Sequence, residues 1–109
     1  MGDVEVVDHG DREILVHLRG RIDEALRPRL DAAVEQIAML DDIDGRDRVV
    51  VDVREVTTLE YAGLCFLSAL VRQGQLRGHD VALAMVSEQA RRALEAAHWP
   101  HGPILSGSM

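Results

Sequence analysis

The stretch VVVDVREVTTLEYAGLCFLSAL, residues 49–70, decides the fold. It opens with a β-branched run, residues 49–53, interrupted only by Asp52, which is the pattern of a strand covered on both faces in a parallel sheet. Residues 62–77 are apolar on most sides and predict a deeply packed helix. Gly78 follows at the position where helices commonly end in a left-handed conformation. A buried strand that leads into a buried helix indicates an α/β fold.

The residues before this stretch predict two strands and a helix. Between residues 4 and 18 apolar and polar residues alternate, which predicts two strands joined by a turn over residues 8–12. Further on, apolar residues fall at steps of three and four over about four turns, as on one face of a helix. Asp23 is the expected N-cap and Pro28 fits only near the first turn, so we expect this helix to begin within residues 24–28.

The residues between and after these elements complete the order. Residues 41–48 are polar and predict a connection into the central strand. Residues 81–86 predict another short strand, and Ser87 is the expected N-cap of a third helix, which Trp99-Pro100 ends. Ile104 and Leu105 offer a possible last strand.

The resulting order, β-β-α-β-α-β-α-(β), predicts one α/β domain over residues 1–109. Strand–helix–strand units make right-handed crossovers, so we expect a mixed, mostly parallel sheet of four to five strands with helices packed on it. The core spans about residues 4–97, and residues 98–109 form a short irregular tail.

Composition excludes several classes of protein. The chain has 109 residues, 47% of them apolar, the size of one domain, and its single Cys65 excludes an internal disulfide. No run approaches the roughly 18 apolar residues of a membrane span, and the start is acidic where a signal peptide is basic, so we expect a cytoplasmic protein with no membrane partner. A net charge of -7 and three aromatic residues argue against nucleic acid.

The residue types also argue against catalysis, metals and cofactors. All twelve basic residues are arginine, which excludes a P-loop lysine and a Schiff base. Cys65 lies on the apolar helix with no basic neighbour in sequence, so we expect an inert thiol. His98 and His101 supply two ligands where zinc needs three or four. The acids from Asp41 lack the EF-hand spacing, because the twelfth residue is Asp52, in the predicted strand.

The sequence resembles the STAS domain family, the anti-sigma factor antagonists and their relatives. The resemblance spans about residues 4–97 and rests on the valine-rich strand with its aspartate, the loop after it, the opening of the helix, and matching positions upstream and downstream. These are residues 49–53, Val56, Thr57, Leu59 and Gly63-Leu64, then Gly20, Ile22, Asp23, Pro28 and Leu30 upstream, and 78–86 and 92–94 downstream.

This resemblance implies a regulatory turn at residues 60–63. In the antagonists that dock onto a serine/threonine kinase of the GHKL type, an Asp-Ser-Ser-Gly turn opens the helix, and phosphate on the first of its serines switches docking off. Here the turn reads Glu60-Tyr61-Ala62-Gly63. Tyr61 takes the position of the phosphoserine and Ala62 cannot accept phosphate, so regulation by serine phosphorylation is not expected.

Three interpretations of Tyr61 remain open: an aromatic anchor in a partner interface, a residue that only packs locally, or a tyrosine-phosphorylated variant of the switch. Thr57 and Thr58 are the nearest hydroxyls, as substitute phosphoacceptors or as residues that pack at the strand end.

The resemblance therefore predicts a non-enzymatic module that docks onto an anti-sigma factor kinase and frees a sigma factor. The partner-binding residues are expected to be Asp23, Thr57, Thr58, Glu60, Tyr61, Ala62, Gly63 and Leu64. One alternative is a STAS subunit of another complex, either a stress-signalling scaffold or the partner of a lipid-transport ABC ATPase; another is a small-ligand or nucleotide-binding domain.

The end of the chain departs from the family pattern. Family members continue into a C-terminal helix, whereas about ten residues follow Trp99 here. We expect that helix to be absent or the chain to be truncated, and either would leave a strip of surface for a homodimer or another contact to cover.

Overall fold

The computed structural model describes residues 2–10, 12–45, 47–97 and 104–105. Over these residues the chain forms five strands, three α-helices and one 3-10 turn. In chain order they are β1 (Asp3–Gly10), β2 (Glu13–Ile22), the 3-10 turn (Glu24–Leu26), α1 (Arg27–Asp44), β3 (Arg48–Leu59), α2 (Tyr61–Arg77), β4 (Asp80–Ala84), α3 (Glu88–Ala96) and β5 (Ile104–Leu105).

The five described strands form one sheet in the order β1-β2-β3-β4-β5. β1 runs antiparallel to β2, and each later neighbouring pair is parallel. The mixed, mostly parallel sheet of the prediction is thereby confirmed, including the last strand at Ile104 and Leu105. Because the parallel strands follow one another in a single direction across the sheet, right-handed crossovers place the connecting helices on one face.

Burial along β3 shows which face the helices cover. Val49, Val51 and Val53 point into the helical layer and are at most 1% exposed. Val50, on the opposite face, is partly exposed and Arg54 is exposed. The core between sheet and helices is completed by large side chains from every layer, among them Ile14, Leu18, Leu30, Ile37, Leu67 and Leu70.

The central strand is longer than predicted. β3 continues through Leu59, so Val56, Thr57 and Leu59, expected in a loop, are strand residues. The extension exists because β2 runs on beside it: Gly20 pairs with Val56 and Ile22 with Leu59. β2, which is distant in sequence, supplies the backbone hydrogen bonds of this extension. The local sequence of residues 54–59 therefore does not predict it.

The first helix also extends beyond its predicted end. α1 continues to Asp44, so residues 41–44, expected in a polar connection, are helical. Asp41 is nearly buried, and its carboxylate lies 3.5 Å from Arg77 and 3.7 Å from Nδ1 of the buried His79. The ion pair with Arg77 and the contact with His79 are tertiary interactions that stabilise a helical turn which would be polar and exposed in isolation.

The predicted caps have different outcomes. Ser87 is confirmed, because its Oγ accepts the Ala90 N–H at 3.1 Å. Gly78 is confirmed as the left-handed residue after α2, with φ of 85°. Asp23 precedes the 3-10 turn and makes no side-chain cap hydrogen bond, and Leu26 precedes α1. The Asp23 carboxylate instead lies 3.1 Å from Arg21 Nε.

The turn predicted over residues 8–12 is too long, because β1 pairs with β2 through Gly10 and β2 begins at Glu13 and continues to Ile22. The other boundaries shift by one or two residues. α2 begins at Tyr61 and β4 ends at Ala84, just before Met85, which has a φ of 56°. The histidine pair His98 and His101 and the stop at Trp99-Pro100 lie outside the described residues.

Candidate functional site

The turn that the sequence singles out lies where β2 and β3 end side by side. Glu60 is the only residue between β3 and α2. Its N–H donates to the Ile22 carbonyl at 2.9 Å, and its own carbonyl accepts the N–H groups of Gly63 at 2.9 Å and Leu64 at 3.1 Å. Backbone hydrogen bonds therefore fix the turn to the sheet on one side and to the helix on the other.

Gly63 allows the helix to lie close to the strand ends. A Cβ at this position would lie 2.4 Å from Leu59 Cδ1 and 2.9 Å from Ile22 Cγ2. These distances are shorter than van der Waals contacts permit. Ala62 beside it is only 3% exposed. Gly63 and Ala62 were predicted to bind the partner. Because both are buried, they instead determine how closely α2 approaches the ends of β2 and β3.

Tyr61 is the side chain that the turn presents to solvent. It is 74% exposed at the first position of α2. The phenol lies against the thiol of Cys65 one helical turn on, and this contact raises the pKa of Tyr61, with burial adding to the effect and the Arg27 charge opposing it. Most of the surface of the ring is therefore free to contact a partner.

The charged residues around the turn are paired with one another. Arg21 lies between two predicted site residues, 3.1 Å from the Asp23 carboxylate and 3.7 Å from that of Glu60. Arg27 is bound by Glu24 through two hydrogen bonds of 2.6 and 3.0 Å, which lower the pKa of Glu24. Two arginines therefore pair with three carboxylates, which leaves a small excess of negative charge at the rim of the turn.

Thr57, Thr58 and Leu64 complete the predicted set. Thr57 is exposed, whereas Thr58 and Leu64 are partly buried. The pairing of β3 with β2 is irregular here: Gly20 pairs with Val56 and Arg21 with Thr58, so Thr57 is an extra residue on β3. The structure thus brings the predicted residues to one end of the sheet and gives each a different exposure.

A groove continues the site along α2 and was missed by sequence reasoning. It measures about 570 Å³ and is lined by Tyr61, Leu64, Cys65, Ser68, Ala69, Arg72 and Ala97. The helical spacing from Tyr61 is the signal that could have found Cys65, Ser68 and Arg72, since they follow at steps of four, three and four. Ala97 comes from the end of α3 and carries no such signal.

The opposite face of the sheet carries a separate polar cluster. Asp52 is 6% exposed, and Arg54 donates two hydrogen bonds of 3.0 and 3.1 Å to its Oδ2. Burial raises the pKa of Asp52, but the hydrogen bonds from the Arg54 side chain and backbone outweigh it and hold that pKa below the usual value. His17 lies nearby, with Nδ1 3.6 Å from Oδ2. The cluster lies on the face that the helices leave uncovered.

Clusters of metal-ligating side chains and helices able to span a membrane are absent from the part of the chain that the structure describes. Within residues 2–10, 12–45, 47–97 and 104–105, no three His, Cys, Asp or Glu side chains come together as a metal site. None of the described helices is long and apolar enough to cross a membrane.

Comparison with known structures places this fold among anti-sigma factor antagonists. The anti-sigma factor antagonist SpoIIAA in its unphosphorylated form superposes with a TM-score of 0.73 at 9% identity, over 88% of this chain and 81% of that one. An anti-sigma factor antagonist from Mycobacterium paratuberculosis gives 0.73 at 23% identity, over 90% and 79%. The phosphorylated form of SpoIIAA, the Bacillus cell fate determinant, gives 0.60 at 12% identity, over 87% and 83%.

Sequence comparison gives the family. No curated protein matches the sequence. The family model described as Mlab, STAS domain, matches residues 5–106, nearly the whole chain. The predicted resemblance is confirmed by this match and by the fold: the chain belongs to the STAS domain family.

Proposed function

We propose that the chain is a non-enzymatic regulatory module that docks onto an anti-sigma factor kinase of the GHKL type in the cytoplasm and so frees a sigma factor. The observation that carries this proposal is Tyr61, an aromatic side chain 74% exposed on a turn fixed by backbone hydrogen bonds. Tyrosine provides a large contact area with few rotatable bonds, and it is enriched at the centres of protein interfaces. The fold shared with anti-sigma factor antagonists supports the same role.

Docking is proposed to be independent of serine phosphorylation. The turn has Tyr61 and Ala62 where the family pattern has serines. Tyr61 carries its hydroxyl at the far end of an aromatic ring that is exposed at the first position of α2. A kinase that transfers phosphate to a short hydroxyl at the turn needs that oxygen in line with the γ-phosphate, and a phenol carried several ångströms away does not meet the requirement. The module is then constitutive or controlled by another means.

A second candidate is a STAS subunit of a different complex, a stress-signalling scaffold or the partner of a lipid-transport ABC ATPase. Two observations favour keeping it. The turn lacks the serine through which antagonists are switched, and the matching family model is described as Mlab rather than as an antagonist. A ligand-binding role has only the volume of the groove beside Tyr61 in its favour.

The test is affinity capture from the native cells with three matched baits. Wild type and Tyr61→Ala are compared with Met39→Ala, which alters a 63% exposed residue on α1, away from the turn. We expect a GHKL kinase with wild type and Met39→Ala but not with Tyr61→Ala, with no phosphate on the turn by mass spectrometry. An ATPase or other STAS proteins in place of the kinase would select the second candidate, and tight binding of a nucleotide by the isolated protein would select the third.

A further inference from the structure

Six side chains form a continuous stripe on the outer face of α2, here called the α2 ridge: Tyr61, Cys65, Ser68, Ala69, Arg72 and Leu76. They follow one another at steps of four, three, one, three and four residues, so they share one face of the helix. The buried residues of α2, among them Phe66, Leu67 and Leu70, occupy the opposite face. Tyr61 and Leu76 at the two ends are 74% and 81% exposed. A ridge with large apolar ends that face solvent is a candidate contact surface.

The order of large and small side chains along the α2 ridge is similar from either end. Its large apolar residues, Tyr61 and Leu76, lie at the ends, and its small ones, Ser68 and Ala69, lie at the centre. When two copies of the helix are laid antiparallel about that centre, Tyr61 lies opposite Leu76 of the second copy and Ser68 opposite Ala69. Small residues at the crossing let two helices approach closely. The ridge therefore has the self-complementarity that a two-fold symmetric interface requires.

The charged side chains on and beside the α2 ridge are compatible with the antiparallel pairing. Arg72 is the one charged residue of the ridge, and in the antiparallel arrangement it lies opposite Cys65 of the second copy, not opposite another arginine. Cys65 also lines a groove of about 230 Å³ between α2 and α1, whose wall includes Asp31. The arrangement thus brings Arg72 of one copy beside Asp31 of the other, and symmetry makes the contact twice.

Both charges are available for this contact. Arg72 and Asp31 are exposed, and neither side chain makes a hydrogen bond or ion pair within the part of the chain that the structure describes. By contrast, the other charged residues close to Tyr61, Arg27 and Arg21, are already held by carboxylates. An unpaired cation and an unpaired anion placed to meet across a symmetric interface favour association and fix its register.

We propose that two copies of the chain associate as an antiparallel dimer through the α2 ridge, with Arg72 of each copy paired to Asp31 of the other. This dimer covers Tyr61. It therefore competes with partner docking at the turn and acts as a reservoir from which the free module is released on dilution or by a tighter partner; this second statement rests on the proposed function, whereas the dimer itself does not.

Charge reversal tests the dimer without any partner. In sedimentation equilibrium over micromolar to millimolar concentrations, we expect wild type to dimerise, and Arg72→Asp and Asp31→Arg each to weaken association by about tenfold or more. The double variant Arg72→Asp/Asp31→Arg restores the opposite-charge pair, so it should recover most of the wild-type association. Ile43→Ser, at a 77% exposed apolar residue of α1 outside the ridge, is the control and should leave it unchanged. A monomeric wild type, or a double variant as weak as the single ones, overturns the proposal.

Disulfide trapping tests the register. Cys65 is the only cysteine, so Cys65→Ser gives a clean background. Ser68 lies about 1.5 Å along the axis from its counterpart in the antiparallel pair, whereas Gln75 lies about 20 Å from its own, given the rise of about 1.5 Å per residue. Mild oxidation should therefore cross-link Ser68→Cys and leave Gln75→Cys monomeric. Equal cross-linking of both, or of neither, contradicts the register.

The trapped dimer then separates the two proposals. Oxidised Cys65→Ser/Ser68→Cys should fail to bind the partner captured by wild type, and reduction should restore binding. Equal binding by the oxidised and reduced forms overturns the competition while the dimer stands. A wild type that dimerises but captures no kinase refutes the proposed function and leaves the dimer intact.

Discussion

The backbone N–H of Glu60 donates to the carbonyl of Ile22 at 2.9 Å and ties the start of α2 to the end of β2. Without this hydrogen bond, only the chain connection from β3 and the packing of α2 would set the direction of the helix. The close approach that follows is what places glycine at position 63 and leaves Tyr61 as the outward side chain.

Gly63→Ala should lower the free energy of unfolding by about 1–3 kcal/mol, because the added methyl overlaps Leu59 Cδ1 and Ile22 Cγ2. Urea denaturation measures the loss. Leu59→Val removes part of the obstacle, so the two substitutions together should cost less than the sum of their separate effects. Strict additivity would show that the methyl meets no resistance from Leu59.

Tyr61→Ala should separate stability from binding. Since the side chain is 74% exposed, the free energy of unfolding should change by no more than about 0.5 kcal/mol. Binding to the partner should weaken by more than about 1 kcal/mol in calorimetry, because a central aromatic anchor is lost. Tyr61→Phe keeps the ring and should keep most of the affinity. Unchanged binding by Tyr61→Ala would show that the anchor lies elsewhere.

Ser87→Ala should destabilise the fold by about 1–2 kcal/mol, because Ser87 makes two hydrogen bonds: its Oγ accepts the Ala90 N–H at 3.1 Å and donates to the Val56 carbonyl at 2.8 Å. Ser87→Asp retains an acceptor for the helix but has no proton for Val56 when ionised. It should therefore be of intermediate stability at neutral pH in urea denaturation. If Ser87→Asp were less stable than Ser87→Ala, the expected separate contributions of the two hydrogen bonds would be contradicted.

The Asp52–Arg54 pair should contribute to the stability of the fold in a pH-dependent way. The pKa of Asp52 is lower in the folded chain than in the unfolded one, so its ionised form favours folding. This contribution is fully present above the unfolded pKa of about 3.9 and is lost as the pH falls through the lower folded value.

Arg54→Gln removes the cation and leaves burial as the main influence on Asp52, so it should reduce the urea midpoint at pH 7 more than at pH 2. The comparison is a series of unfolding curves of wild type and Arg54→Gln across that range. Arg48→Gln changes an exposed arginine at the other end of β3 and serves as the control. Parallel pH profiles for wild type and Arg54→Gln would refute the assignment.

Much of the fold could be predicted because its signals are local. The valines of residues 49–53, the alternation before residue 18 and the caps at Ser87 and Gly78 each act through their immediate neighbours. The predictions are wrong at the ends of elements whose length depends on residues distant in sequence. β3 continues past Val53 because β2 lies beside it, and α1 continues past Leu40 because Arg77 and His79 meet Asp41.

In the candidate site, too, local features could be predicted from the sequence and contacts between distant residues could not. The family pattern placed the turn at Glu60 and Tyr61, and the helical repeat from Tyr61 contains the information for Ser68 and Arg72. It contains nothing that brings Ala97 to the same groove or Asp31 beside Cys65, since those neighbours come from other helices. The exposure of side chains at the turn could not be predicted either, because no sequence pattern distinguishes the exposed Tyr61 from the buried Ala62 that follows it.

The passage from β3 to α2 through a single residue bears on how fast a partner is bound. A surface built on a long loop must order itself on contact, which costs conformational entropy and slows association. Here the contact surface at Tyr61 exists in the free protein. For the monomer, at concentrations below those at which the α2 ridge dimer forms, the rate of complex formation should therefore depend on viscosity and ionic strength, as for two rigid bodies that meet by diffusion, and should show no concentration-independent slow phase in stopped-flow traces.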